Sequence, residues 1–197
     1  MIDPTFIQNL DAWNAYCKKM YDNYNGPDAW VVCNVKLEDY IFKHTPENFY
    51  GNNHYGVRHP ADQEVSPDTA VLDRAIPDFG HPINKKFCEI LGLLPPARIS
   101  INIQEPGGII PPHYDTNKST LKIPSIAEKF NELEWTDIKR YLYFWQDQEI
   151  GQFFQIGNTQ IKWKAGDLIE FPFFARHTTA NSSYSPRKIT AITGILA

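Results

Sequence analysis

Little in this sequence supports a disulfide framework, a membrane span or a phosphate-rich partner. The three cysteines, Cys17, Cys33 and Cys88, lie far apart, so they form neither a staple set nor a C-x-x-C metal knuckle, and small buried thiols are the expectation. No stretch nears the ~18 apolar residues that a spanning helix needs. The opening Met-Ile-Asp-Pro has neither the basic start nor the apolar core of a secretory leader, so a cytoplasmic protein with no membrane partner is expected. Positive charge is also scarce. Nineteen Lys and Arg against 23 Asp and Glu leave a net charge of −4, with a pI near 5.8, which disfavours nucleic acid as a partner. Repeats, low-complexity tracts and linkers are absent, which favours one folded unit over 1–197.

What the chain does have is ring and bend: 12 Phe, 10 Tyr, 5 Trp and 15 Pro, a composition that leans toward strands and turns. The texture changes near residue 96. Before it, Asp11 to Tyr24 carries Trp13, Cys17, Met20, Tyr21 and Tyr24 at near-helical spacing, and Pro82 to Leu94 reads as a second helix closed by Gly92 and Pro95. Trp30 to Val35 reads as a buried strand, and His44 to Asp73 as irregular surface. Residues 1–96 are therefore expected to be helical and irregular, packing on a β core over 97–197. In that core the strand candidates are Arg98 to Gln104, Arg140 to Trp145, Gly151 to Ile156, Thr159 to Trp163, Leu168 to Phe173 and Lys188 to Ile195. Gly157-Asn158 is a two-residue hairpin signal. Short antiparallel strands with helices confined to the first half predict a mainly β chain, a double-sheet jelly roll backed by N-terminal helices. Between them, 116–139 reads as an insertion in which Ser125-x-x-Glu128 caps a helix over Ile126 to Leu133, placed where a lid would be.

Of the six histidines, one stands two residues before a carboxylate, in Pro112-His113-Tyr114-Asp115. Positions i and i+2 of an extended chain share a face, so His113 and Asp115 can offer an imidazole and a carboxylate to one ion. Downstream, Gly166-Asp-Leu-Ile-Glu-Phe-Pro-Phe-Phe-Ala-Arg-His177 brings a second imidazole to a strand end. Two His and one carboxylate make the facial triad of non-haem Fe(II), with the opposite positions open to a bidentate cosubstrate and dioxygen. Arg187 follows His177 by ten residues, across the turn-rich Asn181-Ser-Ser-Tyr-Ser-Pro186. A hairpin there would return its planar fork toward the metal, ready to pair with the far carboxylate of a 2-oxo diacid. The spacings of His44, His54, His59 and His81 match no common ligand motif.

Four ordered blocks, Arg98 to Asp115, Arg140 to Trp145, Trp163 to Phe171 and His177 to Arg187, resemble the iron(II)/2-oxoglutarate-dependent dioxygenase superfamily over about half the chain. The Pro-Gly-Gly run and the His-x9-Arg ending are similar to its aspartyl/asparaginyl hydroxylase-like and prolyl-hydroxylase-like branches. The resemblance implies a double-stranded β-helix (jelly roll, cupin-like) core and metal ligands His113, Asp115 and His177. It also implies Arg187 as the anchor of 2-oxoglutarate, with Tyr143 donating its hydroxyl to the cosubstrate carboxylate and Asn102 or Gln104 as a further polar contact. Arg140 is a rival for that contact. The implied activity is a hydroxylase coupling decarboxylation of 2-oxoglutarate to oxidation of a C–H bond in an amino-acid-like, peptidyl or small-molecule substrate. Because Asp115 is present where a halide-transferring relative has a small residue, hydroxylation is favoured over halogenation. Two rivals stand beside it: a cupin-like metalloenzyme using Zn or Mn without 2-oxoglutarate, and a non-catalytic jelly-roll binding module. The oligomeric state has no signature in the sequence.

Overall fold

Two antiparallel sheets face each other in the structure, a computed structural model that describes residues 9–37, 72–75, 79–115 and 120–197. The strands in chain order are β1 (Trp30–Asn34), β2 (Leu72–Ala75), β3 (Arg98–Gln104), β4 (Ile109–His113), β5 (Ile138–Phe144), β6 (Gln152–Ile156), β7 (Thr159–Gln160), β8 (Asp167–Glu170), β9 (His177–Asn181) and β10 (Arg187–Ile195). One sheet has the order β1-β8-β5-β10-β3-β2 and the other β4-β9-β6-β7. This is the expected mainly β architecture, a double-stranded β-helix with helices drawn mostly from the first half of the chain.

The strands β3, β5, β8 and β10 of the larger sheet are largely buried on both faces, and side-chain alternation assigns each residue to one of them. Ile99 and Ile101 of β3, Tyr141 and Tyr143 of β5, Leu168 of β8 and Ile192 of β10 point outward. There they pack under helix α2 (Pro82–Leu91), against Ile83, Phe87, Cys88 and Leu91. Leu142, Phe144, Ile169 and Ile189 point inward and meet Phe154 and Ile156 of the smaller sheet. Helix α2 forms where Pro82 starts it, the His81 ring accepts from Ile83 N–H, and Gly92 ends it at φ 64°. A third cluster closes one end of the space between the sheets. It joins Trp13 and Cys17, four apart on helix α1 (Leu10–Asp22), to Ile123, Ile126, Trp135, Ile138, Phe173 and Ile195.

Several expectations change. Trp30 to Val35 is an edge strand rather than a buried one, with Trp30, Val31 and Val32 exposed, because among the described residues β1 has a neighbour on one side only. The N-terminal half does more than pack on the core, since β1 and β2 are the outermost described strands of the larger sheet. Leu72 and Asp73 lie in β2, whereas the rest of the supposed irregular surface, from His44, falls outside the described residues. The insertion is no lid over its described residues: Thr120, Ile123, Ile126 and Trp135 are buried, the last three in the third cluster. Its helix α3 is Pro124–Lys129, and the Ser125 hydroxyl donates to Pro96 C=O instead of capping. The segment between Asn181 and Arg187 is not a hairpin, because β9 and β10 belong to different sheets, so the chain turns a corner there. The Gly157-Asn158 hairpin between β6 and β7 is present, with Gly157 at φ 55°.

Candidate metal centre and its buried arginine

Register brings the two imidazoles together. His113 ends β4, His177 begins β9, and the two are opposite one another in the antiparallel ladder, with ring centroids 4.3 Å apart. Asp115, two residues beyond His113, turns its carboxylate toward both. Its Oδ1 lies 3.8 Å from His113 Nε2 and its Oδ2 3.5 Å from His177 Nε2. One ligand atom from each of the three lies within 4.8 Å of the others. Adjacent ligands on an ion at ~2.1 Å sit about 3 Å apart, so small side-chain shifts complete the cage.

The protonation chemistry fits a metal. His113 Nδ1 lies 2.8 Å from Pro111 C=O and His177 Nδ1 3.1 Å from Ala175 C=O. Each contact places the ring proton on Nδ1 and leaves the Nε2 lone pair for a cation. Burial, and after it the neighbouring His177 ring, pushes His113 down to about 4, so its imidazole is neutral at physiological pH. Asp115 is held from two directions. Trp13 Nε1 donates to its backbone carbonyl at 2.8 Å, and the Arg140 guanidinium pairs with its Oδ2.

Arg187 begins β10 on the inward face and is 2 % exposed. Its guanidinium donates to Phe153 C=O at 2.8 Å, to Gln104 Oε1 and to Thr179 Oγ1. Every one of these acceptors is neutral. Among the described residues no carboxylate pairs with Arg187, and its Nε has no hydrogen-bond partner. Burial alone lowers it to about 9. The Phe154 ring links this charge to the triad, with Arg187 Cζ 5.5 Å from its centroid and the His177 ring 6.3 Å away and nearly parallel.

His113, Asp115 and His177 are thus brought together, and Arg187 faces the same interior. Tyr143 is not with them. Its position in β5 is odd relative to Arg140, Leu142 and Phe144, so it points to the outer face. There its hydroxyl donates to Val35 C=O and accepts from Leu37 N–H, and its ring meets Phe87 edge-on. The hydroxyl pins the segment after β1 and is not available to a cosubstrate between the sheets. Asn102 does face inward, opposite Ile189 in the ladder, and its amide bonds to Ser100. Gln104 is the β3 residue that touches Arg187. Arg140 meets Asp115, a role the sequence did not suggest, and Trp13 read only as the buried stripe of a helix. The inward parity of Arg140 with Leu142 and Phe144 was the one available sign. His81 caps α2, and His44, His54 and His59 lie outside the described residues. The cysteines are free, with Cys17 and Cys88 buried.

No protein-family model matches the chain, and no curated protein does. Among solved structures, the chain is similar to a cupin 2 conserved barrel domain protein from Salinispora arenicola, at 12% identity and a TM-score of 0.38 over 62% of this chain and 75% of that one. It is also similar to a predicted oxalate decarboxylase from Thermotoga maritima, at 12% identity and a TM-score of 0.37 over 64% of this chain and 81% of that one. A third is an uncharacterized conserved protein with a double-stranded β-helix domain from Klebsiella pneumoniae, at 14% identity and a TM-score of 0.38 over 70% of this chain and 88% of that one. These likenesses concern the barrel, and the metal centre rests on the geometry of His113, Asp115 and His177.

Proposed function

We propose that this chain is an iron(II)/2-oxoglutarate-dependent oxygenase that hydroxylates a C–H bond in an amino-acid-like, peptidyl or small-molecule substrate. The observation that carries the reading is Arg187, a buried guanidinium facing the same interior as a two-His, one-carboxylate cluster and meeting no carboxylate among the described residues. Burying a charge costs several kcal/mol unless it is paired. A ligand with a carboxylate at one end and a metal-binding 2-oxo acid at the other would supply both missing partners. A Zn or Mn enzyme that does not use such a diacid gives Arg187 no partner.

His113, Asp115 and His177 would hold the iron. Bound there, it would supply the oxidising chemistry, with dioxygen as oxidant and 2-oxoglutarate converted to succinate and carbon dioxide. The chain's own residues bind and orient. The Nδ1–H contacts fix the two imidazoles, Arg187 receives the distal carboxylate, and Phe154, Phe171 and Trp163 exclude water around them.

The test is anaerobic: Fe(II), then 2-oxoglutarate, added to metal-free protein. The expected result is a weak visible charge-transfer band that needs both additions and fades on admitting oxygen with release of succinate. Metal binding without the band would replace this reading with the cupin-like one, and no metal uptake would leave a binding module.

A further inference from the structure

With Arg187 receiving the cosubstrate carboxylate, Arg140 is left without a task there, yet its guanidinium pairs with a member of the triad. It is the third residue of β5, on the face between the sheets, and its guanidinium meets the Asp115 Oδ2 that lies 3.5 Å from His177 Nε2. The other oxygen, Oδ1, is turned toward His113. The guanidinium is itself held in place. Its Cζ lies 5.7 Å from the centroid of Phe171, whose ring meets His177 edge-on at 5.6 Å, and the side chain is 11% exposed.

We propose that Arg140 is a positioning residue that fixes Asp115 as a one-oxygen ligand. The proposal rests on the metal-site reading above and adds to it. A carboxylate can bind an ion through one oxygen or both, and a donor fixed on one oxygen occupies its lone pair and holds the carboxylate plane. Two imidazoles and one oxygen fill three of six octahedral positions, leaving room for a bidentate cosubstrate and dioxygen. A two-oxygen Asp115 would leave two positions, too few for both. Arg140 also has the same sign of charge as the metal, so it weakens metal retention while keeping the open face open. That combination separates it from a residue that merely supports the fold.

The experiment titrates Co(II) into metal-free protein, followed by calorimetry and visible absorption, with oxalate then added as a bidentate probe. Arg140→Gln is expected to bind Co(II) as tightly as the parent or up to roughly tenfold more tightly. Its Co(II) absorption shifts as a further protein oxygen enters, and oxalate binds the loaded protein roughly tenfold more weakly. Arg140→Lys, which retains a charged donor on a long side chain, keeps the parent spectrum. A Gln variant with the parent's spectrum and oxalate affinity overturns the proposal, as does Co(II) affinity falling in step with the melting temperature. A parent chain that takes up no Co(II) overturns the metal-site reading and the proposal with it. If Arg140→Gln does not fold, Phe171→Leu takes its place, removing the ring beneath the guanidinium while retaining the charge. It is expected to move the Co(II) absorption the same way by a smaller amount, and an unmoved spectrum there overturns the proposal.

Discussion

Arg187 satisfies three neighbours with hydrogen bonds, and among the described residues it meets no counter-charge. Its acceptors do not depend on it entirely, since the single Thr179 hydroxyl proton is within reach of either Phe153 C=O or Gln104 Oε1. Replacing an unpaired buried charge by an apolar side chain of similar length is often neutral or stabilising. Arg187→Met is therefore expected to melt within a few degrees of the parent, or above it, while its half-saturating 2-oxoglutarate concentration rises roughly 100-fold or more. Thermal melts and cosubstrate titration read the two effects separately. A large loss of stability with unchanged titration would make the residue a structural one.

At the level of elements, the candidate metal centre depends on how β4 and β9 are delivered to one another, and the turns around them are constrained. Gly151 precedes β6 at φ 93°, and a Cβ there would lie 2.8 Å from the Ser182 carbonyl carbon and oxygen, at the end of β9. Both the backbone conformation and the space exclude a side chain. Gly92, the cap of α2, has φ 64° but open space around it. Gly151→Ala should cost about 2–3 kcal/mol and Gly92→Ala about 1 kcal/mol. Urea unfolding of the two variants checks the order, and equal losses would remove the steric argument. Helix α1 belongs to the same scale, because Trp13 joins the third core cluster to the Asp115 backbone and so couples helix docking to the site.

For the whole molecule, proton linkage and the proposed metal linkage act on folding through the same residues. The unfolded chain protonates a histidine near pH 6.5, whereas folded, metal-free protein resists protonation of His113 until about pH 4. Stability is therefore fully present above pH 6.5 and is lost as pH falls through about 4, by roughly 2–3 kcal/mol. Urea midpoints of metal-free protein at pH 7.5 and 4.5 measure it, and equal midpoints would contradict the burial of a neutral imidazole. Conversely, a metal at a hundred times its dissociation constant should add about 2.7 kcal/mol. That shift should disappear in Asp115→Ala, along with any iron-dependent turnover. The described residues contain no helix long and apolar enough to cross a membrane.

The local pattern determined much of this protein. The i, i+2 placement of His113 and Asp115, the hairpin glycine at 157, the bounds of β3 and the stripe of Trp13 and Cys17 all follow from short-range geometry, which a sequence carries directly. The same is true of the mainly β character, since strand and turn residues alternate through the second half. What a sequence does not carry is which face of a strand meets which partner, because that depends on sheet order and on what covers each side. Tertiary structure alone sent Tyr143 outward to Val35 and Leu37, set β1 at an exposed edge, and placed β9 and β10 in separate sheets. It alone joined Arg140 to Asp115, which are distant in the chain. Contacts of that kind are decided by packing over long separations, where no local preference favours one partner over another.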